Sequence, residues 1–181
     1  KRVSGTDLMT QFFQIAETRG YSMFFYGDTE HTLELLRGRL KEDYPALKIA
    51  GTHSPPFRIL SKEEQDADIK MINESCADVL WVGLGLPKQE RWMHENQHLL
   101  DVPVVSGVGA AFKFLSGQVR RAPPWVGDHG FEWLWRFAVE PRRVWRRVLV
   151  DAPCSGEGRF HRDDPPSWQG WSLRKIKGCA S

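Results

Sequence analysis

Four short apolar segments that each end at a glycine constrain the fold of this chain more than any other feature. They are residues 21–26, 47–50, 79–82 and 102–106, which precede Gly27, Gly51, Gly83 and Gly107. The glycines are 24 to 32 residues apart, close to the roughly 30 residues of a strand–helix–strand unit. We therefore predict a three-layer α/β domain with a parallel sheet.

Cap residues mark the helices between these strands. Gly20 is expected to end a first helix, and Ser61 with Glu64 has the spacing of a capping box at the start of another. A chain of 181 residues with 41% hydrophobic and 27% charged residues has the composition of one globular domain, which excludes disordered and collagen-like classes. The sequence contains no apolar run of the roughly 18–20 residues that cross a bilayer.

Residues 83–90, Gly-Leu-Gly-Leu-Pro-Lys-Gln-Glu, follow a predicted strand and open a predicted helix. Pro87 lies near the first helical position, where its missing N–H has no cost. Free N–H groups at such a helix start bind anions, and a bound phosphate would offset the unfavourable position of Lys88 in the first turn. The alternative is a tight turn with a solvated lysine.

Residues 107–112, Gly-Val-Gly-Ala-Ala-Phe, repeat this arrangement after the next strand. Ligands of parallel sheets bind at the carboxyl ends of strands, and two neighbouring glycine turns allow close approach of backbone to a ligand. Close packing of the glycines is the alternative explanation. Their adjacency favours a binding site.

Residues 136–147 form a basic helical stretch with five arginines and one acid, interleaved with aromatic residues. Such a stretch is typical of a solvated helix, an RNA-binding face or a helix lying on an anionic membrane. Net charge is only +2, too small by itself to indicate a nucleic-acid partner.

His94 and His98 satisfy the His-Glu-x-x-His pattern of zinc proteases on a predicted helix, with both imidazoles on one face. The helix is densely polar and no third ligand is recognisable. We therefore expect a solvated helix face and no metal, and a zinc hydrolase is the least favoured function. The remaining histidines, including His53, are expected to have surface or capping roles.

Six sequence blocks together resemble one family of bacterial enzymes. The blocks are residues 2–8, 83–90, 107–117, 121–123, 132–136 and 140–143. In this order they resemble the WecG/TagA/CpsF glycosyltransferases across residues 1 to about 147. The resemblance implies a Rossmann-like domain with a basic helical C-terminal appendage.

The resemblance also implies a reaction. It is the inverting transfer of an N-acetylmannosamine-type sugar from a UDP donor to polyprenyl-diphosphate-linked N-acetylglucosamine, without metal or other cofactor. It implies a location peripheral to the inner face of the cell membrane and leaves an oligomer possible. The odd number of cysteines, three without zinc-ribbon spacing, independently favours the reducing cytoplasm. The implied donor-binding residues are Gly83, Gly85, Pro87, Lys88, Gln89, Glu90, Gly107 and Gly109. The implied diphosphate- and membrane-binding residues are Arg121, Arg136, Arg142, Arg143, Arg146 and Arg147.

Two positions depart from the family pattern. The family's catalytic base is an aspartate upstream of the Arg-Val-x-Gly block, and this sequence starts downstream of that position, so the N-terminal part of the domain is expected to be missing and sugar transfer to be impaired. No catalytic residue is assigned. Lys113 stands where the family usually carries an aspartate, which reverses the charge beside the expected site.

The tail, residues 148–181, resembles a different family. Its Asp-Ala-Pro-Cys-Ser-Gly motif, with Asp151, Pro153 and Cys154, is similar to that of Sun-type RNA 5-methylcytosine methyltransferases. About 33 residues form no independent core, so we predict a boundary near residue 148 and a tail that does not fold alone. The rival functions are an RNA methyltransferase fragment and a non-catalytic binder of nucleotide sugar or lipid diphosphate.

Overall fold

The computed structural model describes residues 4–119, which form five helices and four strands within that range. In chain order they are α1 (Gly5–Arg19), β1 (Ser22–Gly27), α2 (Glu30–Asp43), β2 (Lys48–His53), α3 (Lys62–Glu74), β3 (Val79–Gly83), α4 (Lys88–Asn96), β4 (Val104–Gly107) and α5 (Ala111–Leu115). All four predicted strands are present, each within three residues of its predicted start and end.

The strands form one parallel sheet in the order β2-β1-β3-β4. The chain runs from β1 outward to β2, then crosses back over β1 to add β3 and β4 on the other side. The strand order therefore reverses between β1 and β3, and in such sheets this switch point opens a crevice at the carboxyl ends of the strands. The predicted parallel α/β fold is confirmed.

Helices cover both faces of the sheet because successive strand side chains point to opposite faces. Met23 and Phe25 point to one face and Phe24 and Tyr26 to the other. The first face packs against α1, α2 and α5, and the second packs against α3 and α4. The β3 strand is buried along its whole length, as expected for a central strand with helices on both faces.

The predicted caps are present. Gly20 ends α1 in the left-handed conformation with φ of 74°, which glycine adopts without strain. Ser61 and Glu64 form the predicted capping box at the start of α3. Within α1, Met9, Phe13 and Ala16 are buried in the core, whereas Leu8 and Ile15 are exposed.

No helix within residues 4–119 is long and apolar enough to cross a bilayer. The predicted basic appendage, the boundary near residue 148 and the tail lie outside the described residues.

Candidate functional site

The backbones of β1 and β3 are in close contact at the carboxyl ends of the two strands. Gly27 has φ of 117°, and a Cβ at this position would lie 2.7 Å from the carbonyl carbon of Gly83. The N–H of Asp28 donates to the carbonyl oxygen of Gly83 at 3.2 Å. The two strand ends therefore form one continuous backbone surface at the carboxyl edge of the sheet.

The turn after β3 places Pro87 near the start of α4, as predicted. Pro87 occupies the N-cap of α4, and the N–H of Gln89 donates to the carbonyl of Gly85 at 2.9 Å. Fewer N–H groups are therefore free for an anion than the sequence suggests. Lys88 and Glu90 are exposed at this turn.

Gln89 joins the two glycine turns. Its side chain is buried, and its Oε1 accepts a hydrogen bond from the N–H of Gly109 at 2.9 Å. Gly107 packs so closely that a Cβ there would lie 2.9 Å from Nε2 of Gln89. The structure thus confirms that the two turns are neighbours, and it assigns the contact between them to one amide.

The α5 helix packs against the carboxyl end of β3. The Phe112 ring packs against Gly83, where a Cβ would lie 2.5 Å from a ring carbon. Lys113, the position at which the sequence departs from the family pattern, follows Phe112 in this helix and is half-buried. Packing against Phe112 therefore requires glycine at position 83.

A second group of polar residues lies at the ends of β1 and β2. Asp68, a buried residue of α3, accepts a hydrogen bond from the hydroxyl of Tyr26 at 2.7 Å. The other oxygen of Asp68 lies 2.9 Å from Nε2 of His53, the last residue of β2. Burial, followed by the hydrogen bond and charge of Asp68, raises the pKa of Tyr26, so its hydroxyl keeps its proton and donates.

His53 therefore departs from its sequence prediction. A surface or capping role was expected, whereas its imidazole pairs with Asp68 and stacks on the Tyr26 ring with centroids 6.0 Å apart. The available signal was its position two residues after Gly51, at the carboxyl end of a predicted strand, where ligands of parallel sheets bind. Asp68 gave no such signal because it lies within a polar helix segment.

Asp28 is another residue that the sequence reasoning missed. It is buried with φ of 56°, and its Oδ1 accepts hydrogen bonds from the N–H of Thr29 and the hydroxyl of Thr32 at 2.8 and 3.0 Å. Aspartate tolerates this left-handed backbone better than most residues. These contacts fix the start of α2, so local structure accounts for the carboxylate.

The His-Glu-x-x-His pattern is not a helix face in the structure. The α4 helix ends at Asn96, so His98 lies beyond it, and the prediction that both histidines share one helical face is wrong. Both side chains are exposed. Within residues 4–119, no group of three or more histidine, cysteine, aspartate or glutamate residues has the arrangement of a metal site.

A groove of about 510 Å³ lies between the second half of α2 and the start of β2. Its lining includes Arg37, Lys41, Tyr44 and Leu47. The start of β2 is at the amino edge of the sheet, opposite the glycine turns, so this groove contains none of the predicted site residues.

The remaining predicted residues lie outside the described part of the chain. These are the diphosphate- and membrane-binding arginines 121, 136, 142, 143, 146 and 147, and Asp151, Pro153 and Cys154 of the methyltransferase-like motif. Their roles stay predictions.

The sequence matches the Glycosyl transferase WecG/TagA/CpsF family over residues 1–155. This match extends past the predicted boundary near residue 148 and includes residues 151–155, the first five residues of the motif that resembles a methyltransferase. The methyltransferase interpretation therefore rests on the short motif alone.

Relatives with this similarity include three bacterial proteins named N-acetylglucosaminyldiphosphoundecaprenol N-acetyl-beta-D-mannosaminyltransferase. The protein of Bacillus spizizenii strain W23 is 35% identical over 148 residues, which cover 82% of this chain and 55% of the relative. That of Bacillus subtilis strain 168 is 30% identical, covering 82% and 56%. That of Staphylococcus aureus strain NCTC 8325 is 28% identical, covering 80% and 55%. The chain spans about half the length of these relatives.

Proposed function

The chain belongs to the WecG/TagA/CpsF glycosyl transferase family, and on this premise we propose that it takes part in the transfer of an N-acetylmannosamine-type sugar. The proposed donor is UDP-linked, and the proposed acceptor is polyprenyl-diphosphate-linked N-acetylglucosamine. Similarity to relatives named for this acceptor and this sugar supports the proposal. The product would be a lipid-linked precursor of a bacterial surface polysaccharide or teichoic acid.

One structural observation carries the proposal: Gln89 holds the glycine turns after β3 and β4 together at the carboxyl edge of the sheet. A diphosphate needs backbone that it can approach closely and hydrogen-bond donors that point toward it. Gly85 and Gly109 allow close approach because neither carries a Cβ and both have positive φ. The Gly109 N–H already donates to Gln89, so it is not one of the donors to the diphosphate. Lys88, exposed in the first turn of α4, supplies a positive charge.

In the proposed reaction a hydroxyl oxygen of the acceptor attacks the anomeric carbon of the donor sugar, and the bond from that carbon to the UDP oxygen breaks. The configuration at the anomeric carbon inverts, and UDP leaves with the electron pair. A base must take the hydroxyl proton. We propose that no metal or other cofactor takes part, which would leave the charge of the leaving diphosphate to Lys88 and to backbone N–H groups.

Donor binding is tested by calorimetry with UDP. We expect wild type to bind, with Gln89→Ala and Lys88→Ala each weakening affinity by roughly tenfold because each removes one contact at the turns. Gln97→Ala is the matched control, since Gln97 is an exposed glutamine just after the same helix. Equal affinity in wild type and both site variants would contradict this placement of the donor.

Transfer is tested with UDP-N-acetylmannosamine and a polyprenyl-diphosphate-linked N-acetylglucosamine acceptor, with and without a chelator. We expect only a low yield of disaccharide-lipid product, because no catalytic base is assigned in this sequence. That yield should fall further in Gln89→Ala and should be unchanged by chelator. Loss of product on chelation would contradict the metal-independent reaction.

A peripheral site of action, at the inner face of the cell membrane, is part of the proposal because the acceptor is a membrane lipid. Residues 133–147 would supply the contact through arginines 136, 142, 143, 146 and 147 and the aromatic residues between them. Co-sedimentation with anionic vesicles should fall with salt and in a variant with arginines 142, 143, 146 and 147 changed to glutamate. Unchanged sedimentation would contradict membrane docking through this stretch.

A further inference from the structure

We propose that His53 hydrogen-bonds a hydroxyl group of the donor sugar through its Nδ1 atom, as a specificity-determining residue. The inference rests on the proposed function, because it requires a nucleotide sugar at the carboxyl edge of the sheet. It extends that function by assigning the part of the sheet's carboxyl edge that contacts the sugar rather than the diphosphate.

The hydrogen bond of His53 to Asp68 fixes which ring nitrogen is available. An ionised carboxylate only accepts hydrogen bonds, so Nε2 of His53, 2.9 Å from Asp68, carries a proton. In a neutral imidazole the other nitrogen, Nδ1, is then an acceptor. Within the part of the chain that the structure describes, Nδ1 has no hydrogen-bond partner, and about a quarter of the side chain (28%) is exposed.

The support behind His53 is rigid. Asp68 is buried and is held from the other side by the Tyr26 hydroxyl at 2.7 Å. The Tyr26 ring stacks on Trp92 with centroids 4.6 Å apart and on the His53 ring with centroids 6.0 Å apart. A ring held by packing and by a hydrogen bond loses little further freedom when it binds a ligand, which favours specific recognition.

The position of His53 suits a sugar attached to a diphosphate at the glycine turns. Ser54, the next residue, donates to the Asp28 carbonyl at 2.6 Å, and the Asp28 N–H donates to the Gly83 carbonyl. The ends of β2, β1 and β3 are thus linked in sequence across the edge. At about 4.8 Å between neighbouring strands, β2 lies roughly 10 Å from β3 and roughly 14 Å from β4. A hexose joined to a diphosphate has a length of the same order.

The sheet edge is therefore divided into two chemically different parts. The ends of β3 and β4 carry glycines and the buried amide of Gln89, which suit a diphosphate. The end of β2 carries the paired imidazole of His53, which suits a neutral hydroxyl donor such as a sugar.

The test compares UDP with UDP-N-acetylmannosamine as ligands of wild type and His53→Gln. A glutamine amide can replace Nε2–H and keep a hydrogen bond to Asp68, but it has no equivalent of Nδ1. We expect His53→Gln to weaken UDP-N-acetylmannosamine binding by roughly tenfold and to leave UDP binding within twofold of wild type. His98→Gln, an exposed histidine beyond α4, is the matched control and should change neither.

A second measurement uses wild type alone, so it does not depend on how the variant folds. The imidazole nitrogen signals of His53 in NMR spectra should shift with UDP-N-acetylmannosamine and not with UDP. Binding of both ligands with unchanged His53 signals, or equal loss of affinity for both in His53→Gln, would overturn the inference while leaving the proposed function intact. Failure of wild type to bind either ligand would contradict the proposed function and the inference with it.

Discussion

The Tyr26 hydroxyl and the Asp68 carboxylate lie 2.7 Å apart inside the protein, on β1 and α3, and join the sheet to the helix layer that covers it. A buried carboxylate is costly unless it is hydrogen-bonded, and Tyr26 and His53 together satisfy both Asp68 oxygens. This pair therefore stabilises the fold and holds the imidazole at the sheet edge.

Tyr26→Phe should lower the free energy of unfolding by about 1–2 kcal/mol, because it leaves one oxygen of buried Asp68 without its donor. Urea denaturation at neutral pH measures the change. Tyr21→Phe is the control, since Tyr21 is exposed. Equal stability of Tyr26→Phe and Tyr21→Phe would contradict the role given to the Tyr26 hydroxyl.

The same hydroxyl should make stability depend on pH in the alkaline range. The pKa of Tyr26 is raised above the ordinary 10.0, so wild type should lose stability as pH rises above about 10, whereas Tyr26→Phe lacks this contribution.

Two glycine-to-alanine changes should shift the free energy of unfolding in opposite directions. Gly27→Ala should destabilise by about 2–3 kcal/mol, because φ of 117° is unfavourable for alanine and the new Cβ would lie 2.7 Å from Gly83. Gly38→Ala should stabilise by about 0.5–1 kcal/mol, because Gly38 lies within α2 with open space around it. Thermal unfolding of both variants measures this, and a stable Gly27→Ala protein would contradict the close contact of β1 and β3.

The ion pair between Arg58 and Glu64 should lower the pKa of Glu64 and make the stability of the protein depend on pH in the acid range. Hydrogen bonds from the Arg58 guanidinium, followed by the Ser61 N–H, lower the pKa of Glu64 to about 2. A lowered carboxyl pKa stabilises the fold above the unfolded value, near 4.5, and this contribution is lost as pH falls from there to about 2. NMR titration should place the Glu64 midpoint near 2 in wild type and higher in Arg58→Ala.

Lys62→Ala is the control for that titration. It removes a neighbouring cation but no hydrogen bond to Glu64, so the Glu64 midpoint should stay near 2. An Arg58→Ala protein with an unshifted midpoint would show that the guanidinium does not set this pKa.

Purified protein should contain no stoichiometric zinc, because α4 ends before His98 and both pattern histidines are exposed. Elemental analysis measures this directly. One zinc per chain that is lost in His94→Ala would overturn the prediction and favour a hydrolase.

The sheet was predictable because the sequence features that define its strands and helix caps lie within a few neighbouring residues. Each strand is a short apolar run closed by a glycine, and the caps at Gly20, Ser61 and Glu64 are defined by neighbouring residues. The adjacency of the glycine turns after Gly83 and Gly107 followed from the repeated unit alone.

The contact between His53 and Asp68 was not predictable from local sequence. His53 and Asp68 are 15 positions apart, and only the packing of α3 on the end of β2 brings them together. The end of α4 was also missed, because its helical pattern continues through His98 whereas the helix stops at Asn96, whose side chain hydrogen-bonds back to the Trp92 carbonyl. Tertiary contacts decided both features.

Backbone amide NMR during titration with UDP is the sharpest test of the proposed donor site at the glycine turns held together by Gln89. We expect concentration-dependent shifts at the amides of Gly83, Gly85, Gly107 and Gly109, with those shifts reduced in Gln89→Ala. Shifts confined instead to the groove around Arg37, Lys41 and Tyr44, or no shifts at all, would contradict it.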